Sequence, residues 1–221
     1  MIYSAIVFAP LIGAMVAGLA GTRFGAQRVP EKASMVLTTG LLFLSAILSW
    51  IVFLGVAFGD RPDETITIMR WMDIGGLKAN WAFKVDTLTA VMLIVVNSVS
   101  ALVHLYSWGY MEADEYKPRF FAYLSLFTFA MLMLVTADNF IQLFFGWEGV
   151  GLASYLLIGY YYKKPSANAA AIKAFVTNRV GDVGLALGVM TVFLVFGSVE
   201  FDVVFPMIAE NAGRELLVFG G

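Results

Sequence analysis

Long apolar segments constrain this chain more than any other feature of its sequence. Hydrophobic residues make up 60% of the chain and charged residues only 14%. A helix needs about 20 mostly apolar residues to cross a bilayer whose hydrocarbon core is about 30 Å thick. The hydropathy pattern predicts six such helices, at Ile2–Ala20, Ala33–Phe58, Val85–Trp108, Phe120–Thr136, Asn139–Tyr161 and Ala167–Phe196. We therefore expect an all-α, polytopic membrane protein.

Basic residues in the loops predict the orientation of these helices. Lys and Arg follow the first, third and fifth segments, and they are absent from the start of the chain and from the fourth loop. These residues are Arg23, Arg28, Lys32, Lys117, Arg119, Lys163 and Lys164. Because Lys and Arg favour the cytoplasmic side, the N-terminus is expected outside. The second loop weakens this count, since it also contains Arg61, Arg70, Lys78 and Lys84. The first segment has no basic residue before its apolar run, so we expect an uncleaved helix rather than a signal peptide.

The second loop has the pattern of a β-hairpin near residues 64–86. Apolar and more polar residues alternate from 77 to 86, which is the period of a strand. Glu64–Ile74 is rich in Thr, Ile and Trp, and Gly75-Gly76 suits a two-residue turn. We expect a hairpin on the outer membrane face, with Trp71 and Trp81 near the headgroups and a neighbouring subunit as its contact. A solvated loop without a partner is the alternative.

Three charged residues lie deep in the predicted membrane helices. Glu148 lies ten residues into the fifth segment, and Arg179 and Asp182 lie equally deep in the sixth. A charged side chain at the bilayer centre costs about 2.5–3.5 kcal/mol on insertion scales, so such residues commonly serve ion or proton paths. Burial favours the protonated acid and a nearby cation favours the carboxylate, so Glu148 is suited to load and release a proton. The alternative is a permanently protonated Glu148 that only links helices.

Arg179 and Asp182 are three residues apart, so they can pair on one helical face. Such a pair could merely make two charges tolerable, but apolar residues would do so at less cost, and we favour a role in the proton path. Small residues near both charged positions favour close helix packing. They are Gly146, Gly149, Gly151, Ala153, Gly181, Gly184 and Gly188.

His104 and Lys173 are weaker candidates for the same path. His104, the single histidine, lies late in the third segment, where hydrogen bonding between helices is the favoured alternative. Lys173 lies about 13 Å from Asp182 along a helix, so its amine is expected to reach the cytoplasmic surface. Asp86 and Asp138 precede helices and are interpreted as N-terminal caps.

The composition excludes several classes of function, and the residues after the sixth segment predict one further short helix. The chain has no cysteine and one histidine, which excludes thiolate-bound iron–sulfur clusters and bis-histidine haem. The net charge of −2, without a basic stripe, excludes a typical nucleic-acid partner.

After the sixth segment, an apolar face from Phe201 to Ile208 is interrupted by Pro206, which predicts a short, broken interfacial helix.

Four stretches carry a more specific pattern: Phe83–Met92, Val103–Met111, Phe144–Tyr161 and Lys173–Asp182. Together they resemble the antiporter-like chain L subunits of respiratory complex I, the proton-pumping NADH:quinone oxidoreductase, whose mitochondrial counterpart is chain 5. The resemblance covers essentially the whole chain. The glutamate-bearing stretch alone also recurs in multi-subunit cation/proton antiporters, which are the alternative family. A structural anchor that moves no ions is a third possibility.

The resemblance implies a translocase subunit that carries part of a proton half-channel, while redox chemistry occurs in other subunits. Glu148 matches the glutamate that pairs with a central lysine, and Asp182 and Arg179 match residues of the same path. No cofactor is expected in this chain, whereas flavin, iron–sulfur clusters and quinone are expected in partner subunits. The implied partners are other complex I membrane subunits, the remainder of the antiporter-like fold and lipid, with no nucleic acid. The implied location is the bacterial cytoplasmic membrane, or the mitochondrial inner membrane of a eukaryote.

The family pattern also predicts how the chain is divided. Residues 1–119 are expected to hold the first three helices and the outer hairpin. Residues 120–221 are expected to begin the antiporter-like repeat with helices four to six and the interfacial tail. The family's central lysine and second inverted repeat have no match here, so we expect the N-terminal part of a longer protein. Six helices without that lysine are not expected to pump.

Overall fold

Six long helices and one β-hairpin form the described part of the chain, residues 1–21, 29–59 and 63–209 of a computed structural model. The elements are α1 (Ile2–Met15, continued by a π-helical turn at Val16–Ala20), α2 (Glu31–Ala57), β1 (Glu64–Ile74), β2 (Leu77–Val85), α3 (Thr87–Tyr110), α4 (Lys117–Val135), α5 (Phe140–Ile158), α6 (Pro165–Phe196) and α7 (Phe201–Ile208). The six long helices, with α1 counted through its π-helical turn, are long and apolar enough to cross a membrane. The predicted all-α polytopic class is therefore confirmed.

The predicted hairpin forms between α2 and α3. Strand β1 pairs antiparallel with β2 along the whole length of both strands. Gly75 and Gly76 form the turn with φ of 60° and 89°, a region that glycine adopts without steric cost. The register shifts between Thr67 and Met69 and again between Arg70 and Met72. The placement of the hairpin on the outer face stays a prediction.

Strand β2 is part of the main apolar core rather than a solvated segment. Phe83 and Val85 are buried in one cluster with Ile6 of α1, Leu93 of α3 and Leu132 of α4. Strand β1, by contrast, is largely exposed. The hairpin therefore has one strand buried on the helices of its own chain and one strand that is largely exposed.

The hairpin tryptophans pack against a spanning helix. The ring centroids of Trp71 and Trp81 are 5.0 Å apart, and Phe145 of α5 lies 4.8 Å from Trp81 and 6.1 Å from Trp71. This aromatic cluster joins the hairpin to α5, a contact that the alternation pattern did not predict. The expected position of both tryptophans at the headgroups stays a prediction.

The N-terminal cap of α3 is the predicted residue, whereas that of α5 is not. Asp86 caps α3 as expected, because its side chain accepts a hydrogen bond from Thr89 N at 2.7 Å. At α5 the interpretation of Asp138 as the cap is wrong. Asn139 is the cap and accepts from Gln142 N at 2.8 Å. Asp138 instead accepts a hydrogen bond from the Asn139 side-chain Nδ2.

The prediction of a helix broken at Pro206 is also wrong, since α7 runs through this residue to Ile208. A proline removes one backbone hydrogen bond from this short helix. Aromatic packing holds the helix nonetheless: Phe140 of α5 contacts Phe201 at 4.8 Å, and Phe201 stacks on Phe205 at 5.2 Å. The interfacial location stays a prediction, and residues 210–221 lie outside the described part.

The loops after α1, α3 and α5 lie at one end of the bundle. Lys117 at the start of α4 lies 3.9 Å from Glu31 at the start of α2. Arg119 donates to the Tyr160 carbonyl oxygen, which follows α5, at 3.0 Å. This agrees with alternating membrane crossings. Which side of the membrane this end faces stays a prediction, and Arg23, Arg28 and Arg61 of the loop count lie outside the described residues.

Candidate proton-path site

An arginine bridges two carboxylates between α5 and α6. Arg179 Nη1 forms an ion pair with Glu148 Oε2, and the same nitrogen lies 3.5 Å from Asp182 Oδ2. The spacing of three residues predicted the second contact, whereas the first comes from the packing of α5 against α6. The Asp182 side chain is 8% exposed, that of Glu148 24% and that of Arg179 40%. The site is therefore buried at Asp182 and open on the arginine side.

Two aromatic side chains complete this cluster. Trp147 Nε1 donates a hydrogen bond to Asp182 Oδ1 at 2.8 Å. The Phe175 ring centroid lies 4.5 Å from Arg179 Cζ, close enough for a cation–π contact. We define the charge cluster as Glu148, Arg179, Asp182, Trp147 and Phe175. Sequence reasoning missed both aromatic residues. The four-residue spacing of Phe175 and Arg179 was the one available signal, because such positions are neighbours on a helix.

Small residues on α5 permit the close packing that the sequence predicts. A Cβ atom on Gly146 would lie 2.5 Å from Leu134 N, and one on Gly149 would lie 3.0 Å from Ala130 Cβ. Ala153 is fully buried, and Gly151 faces Asn178 more loosely. Helix α5 thus approaches α4 almost backbone to backbone, which fixes the height of Glu148 in the bundle.

The same prediction finds no support at the glycines of α6 within the described residues, and there it stays a prediction. A Cβ atom on Gly181, Gly184 or Gly188 would meet no atom of the described residues within 4 Å. The reason is the position of α6 at the edge of the bundle, where only Ala171, Asp182 and Val189 are buried. These glycines therefore provide no tight contact within the described chain.

His104 and Lys173 lie apart from the charge cluster. His104 is fully buried in α3, with Nδ1 2.8 Å from Ser100 O and Nε2 3.0 Å from Ser125 Oγ of α4. A carbonyl oxygen only accepts, so Nδ1 donates to Ser100 and the ring links α3 to α4. Lys173 is exposed on α6. Within the described residues neither side chain makes a hydrogen bond or ion pair with the cluster.

The arrangement has a simple charge balance. With both acids ionised, Glu148, Asp182 and Arg179 carry a net charge of −1, so one added proton makes the cluster neutral. A neutral cluster is favoured where water is scarce, because an unbalanced charge costs more in a low dielectric. No group of three or more His, Asp or Glu side chains that could hold a metal ion occurs in residues 1–21, 29–59 and 63–209.

Comparison with known proteins assigns this architecture. Residues 71–121 match the family model of the NADH-ubiquinone oxidoreductase (complex I) chain 5 N-terminus, and residues 137–220 match that of the NADH:quinone oxidoreductase/Mrp antiporter transmembrane region. The chain is 60% identical over 220 residues to NADH-quinone oxidoreductase subunit L of Rhodobacter capsulatus, covering 96% of this chain and 30% of that protein. It is 51% identical over 203 residues to NADH-ubiquinone oxidoreductase chain 5 of Arabidopsis thaliana, covering 92% and 29%. The chain thus spans about 30% of the length of these relatives.

Solved structures share the fold at low sequence identity. A structure of the membrane-bound sulfane sulfur reductase, an archaeal respiratory membrane complex, matches with a TM-score of 0.77 and 17% identity, over 94% of this chain and 40% of that chain. The Mrp complex from Dietzia sp. DQ12-45-1b matches with a TM-score of 0.77 and 18% identity, over 96% and 22%. The family model of residues 137–220 defines the class, an antiporter-like membrane subunit. The chain belongs to the subunit L/chain 5 family of complex I, as the sequence motifs indicate.

Proposed function

We propose that this chain contributes part of a proton-translocation half-channel to a NADH:quinone oxidoreductase. The observation that carries the proposal is the arginine shared by two carboxylates of adjacent spanning helices. Charged residues inside spanning helices are rare and are typical of ion and proton pathways. The identity of 60% to a subunit L supports the same activity.

In this proposal Glu148 is the group that loads and releases the proton. Arg179 holds Glu148 and Asp182 through one nitrogen, so a small movement of the guanidinium towards Asp182 removes the cation from Glu148. Glu148 then takes up a proton, because the uncompensated carboxylate is disfavoured in the membrane. A cation that approaches Glu148 favours the carboxylate again and releases the proton. A lysine from the remainder of the antiporter-like fold is the proposed cation.

Trp147 and Phe175 have positioning roles in the same scheme. The indole N–H of Trp147 orients Asp182, since it donates to the side-chain Oδ1 at 2.8 Å. Phe175 offers the Arg179 guanidinium a ring face at 4.5 Å that does not compete with the carboxylates. Arg179 can therefore move between the two acids without leaving the cluster. Water molecules along Arg179 and Asp182 complete the proposed proton uptake path.

The proposed setting follows from the family. Flavin, iron–sulfur clusters and quinone belong to partner subunits, so electron transfer and proton movement are coupled at a distance. Residues 1–119 form the first three helices and the hairpin, whose exposed strand β1 suits contact with a neighbouring membrane subunit. Residues 120–221 begin the antiporter-like repeat. The membrane is the bacterial cytoplasmic or mitochondrial inner membrane, with the N-terminus outside.

A second candidate function is a subunit of a multi-subunit cation/proton antiporter that works without NADH. The transmembrane family model shared with Mrp antiporters favours it. The subunit L and chain 5 relatives, at 60% and 51% identity, favour the first function. Purification of the natural complex separates the two: flavin and iron–sulfur subunits support the oxidoreductase, and a set of small membrane subunits alone supports the antiporter.

Substitution of Glu148 in the complete, assembled complex tests the proposed role. Glu148→Gln cannot release a proton at this position, so fewer protons are expected to cross the membrane for each NADH oxidised. Glu112→Gln is the matched control, since Glu112 is an exposed carboxylate outside the spanning helices. Vesicles that acidify with unchanged stoichiometry in the Glu148 variant would contradict the proposal.

A further inference from the structure

A cavity of about 450 Å³ lies between the start of α4 and the connection from α5 to α6. Its polar lining consists of Arg119 together with the side chains of Tyr123, Tyr155, Tyr160, Tyr162 and Asn168. This tyrosine cavity lies at the end of the bundle where α4 begins and α5 ends. The hairpin, which joins the end of α2 to the start of α3, belongs to the opposite end. It belongs to neither the charge cluster nor the proposed proton path.

Arg119 is the only charged residue that lines the tyrosine cavity in the described part of the chain. Its guanidinium carbon lies 5.1 Å, 4.7 Å and 5.1 Å from the ring centroids of Tyr116, Tyr160 and Tyr162. One nitrogen, Nη2, donates to Tyr160 O at 3.0 Å. Among the described residues Arg119 forms no ion pair, and its buried Nε has no hydrogen-bond partner. Within the described residues no carboxylate pairs directly with Arg119, although Asp114 and Glu115 line an adjoining pocket together with Arg119.

Asp114 belongs to the same region but serves another purpose. It accepts hydrogen bonds from Tyr160 OH at 2.6 Å and from Tyr116 N at 2.7 Å. Burial raises the pKa of Tyr160, and the bond to Asp114 adds to this shift, so the phenol stays a neutral donor. Asp114 thus orients the ring under Arg119 and leaves the guanidinium available to an anion.

The position of the cavity indicates the kind of anion. Helix α4 begins at Lys117, α5 ends at Ile158 and α6 begins at Pro165, so the cavity lies at the ends of three spanning helices. Lipid headgroups are found at this level, and tyrosine is enriched there. Apolar side chains of Leu156 and Ile172 also line the cavity, and they suit the first carbons of an acyl chain.

We propose that the tyrosine cavity binds the phosphate group of an anionic phospholipid, with Arg119 as its cation. Arginine suits phosphate because its N–H groups form a planar fork that matches two oxygens. Basic pockets between spanning helices are known to select charged headgroups. A free phosphate ion offers the same chemistry, but the apolar residues of the lining favour a lipid.

The test uses the purified protein, stripped of lipid in a neutral detergent. Native mass spectrometry measures binding of the first molecule of dioleoylphosphatidylglycerol or dioleoylphosphatidylcholine. The wild type is expected to bind the phosphatidylglycerol about tenfold more tightly, because phosphatidylcholine carries its own cation beside the phosphate. Arg119→Gln is expected to lower the affinity for phosphatidylglycerol about tenfold, because it removes the cation that pairs with the phosphate. Arg119→Lys keeps the charge and is expected to bind more tightly than the glutamine variant.

Lys117→Gln is the matched control. It removes the same charge two residues away from Arg119, and the Lys117 side chain does not line the cavity. It is expected to bind within about threefold of the wild type, because Lys117 pairs with Glu31 and does not line the cavity. An equal loss in both glutamine variants, or none in Arg119→Gln, would overturn the proposal. If Arg119→Gln does not fold, equal binding of the two lipids by the wild type overturns it. Thermal stabilisation by inorganic phosphate but not by phosphatidylglycerol would refute the lipid assignment.

Discussion

Arg179 Nη1 contacts both Glu148 and Asp182, and this shared cation explains why three charged residues can occupy two spanning helices. Removal of one partner from a buried ion pair leaves an uncompensated charge and is more harmful than removal of the pair. Each member therefore depends on the other two. The orientation of Asp182 further depends on Trp147, so the geometry of the acid pair is controlled from both helices.

Trp147→Phe tests this control at the level of one hydrogen bond. The substitution keeps an aromatic ring but removes the N–H that donates to Asp182. The free energy of unfolding is expected to fall by about 1.5–3 kcal/mol, the usual contribution of a hydrogen bond to a charged acceptor. Trp50→Phe is the matched control, because Trp50 donates to the neutral Ser98 hydroxyl at 3.1 Å on an exposed surface. Proton translocation by the assembled complex should fall in the first variant and be nearly unchanged in the second. Equal activities would show that Trp147 does not position the cluster.

Asp138 offers a test of pH dependence outside the spanning helices. Burial raises the pKa of its carboxyl, the hydrogen bond from Asn139 opposes this shift, and the charge of Glu200 adds to it. A raised pKa means that the folded state binds the proton more tightly than the unfolded state. The resulting stabilisation is complete below the unfolded pKa of 3.8 and is lost as the pH rises through the folded value.

Asp138→Asn should therefore stabilise the protein at neutral pH and flatten its stability profile above pH 3.8. Thermal unfolding midpoints between about pH 4 and pH 7 provide the measurement. Asp73→Asn, an exposed acid in the hairpin, is the control and should leave the profile unchanged. A variant whose midpoint falls with pH as steeply as that of the wild type would contradict the assignment to Asp138.

At the scale of elements, the contact of α5 with α4 depends on glycine. A Cβ atom on Gly146 would lie 2.5 Å from the backbone nitrogen of Leu134, which cannot move independently of its helix. Gly184 has open space within 4 Å in the described chain. Substitution by alanine is therefore expected to destabilise the protein at Gly146 but not at Gly184.

Gly146→Ala should destabilise the protein by about 1–3 kcal/mol, the usual range for overpacking. Gly184→Ala should be neutral or stabilising by up to about 1 kcal/mol, because alanine is the better helix former. The measurement is the thermal unfolding midpoint of the purified variants in one detergent. Equal midpoints for Gly146→Ala and Gly184→Ala would contradict the described α4–α5 contact.

The hairpin is held to α5 by a buried side chain. Gln142 is fully buried, accepts from Ala82 N at 3.0 Å and donates to Ala82 O at 2.7 Å. Gln142→Ala leaves both backbone groups unpaired, and each unsatisfied group costs about 1–3 kcal/mol. Hydrogen exchange at the Ala82 amide should accelerate strongly in Gln142→Ala and less in Gln142→Glu, which keeps an acceptor for this amide. Unchanged exchange in the alanine variant would refute the described contact.

At the scale of the whole molecule, hydropathy predicted the spans because a helix in lipid must satisfy its backbone hydrogen bonds within itself. This requirement is local, so it is visible in the sequence. The bounds were less accurate where neighbouring elements intervene: α3 begins at Thr87 rather than Val85, because Val85 ends strand β2 and Asp86 is the cap. Contacts between elements were not predictable, since Trp147 and Gln142 depend on how α5 is rotated against its neighbours.

The charge cluster illustrates the same division between local and long-range information. Spacing predicted the contact of Arg179 with Asp182, and composition marked Glu148 as unusual, but their meeting required the packed helices. The glycines of α6 have no close neighbour in the described residues, so the close packing that their pattern predicts stays a prediction. Small residues indicate where a helix can pack closely and do not identify its partner.

The central claim is that Glu148 gains and loses a proton during turnover. Infrared difference spectroscopy of the complete complex, recorded with and without NADH, measures this directly through the carboxyl and carboxylate bands of the side chain. We predict a band pair that appears during turnover and is absent in Glu148→Gln. A Glu148 signal that stays unchanged throughout the cycle, in a complex that still pumps, would contradict the account.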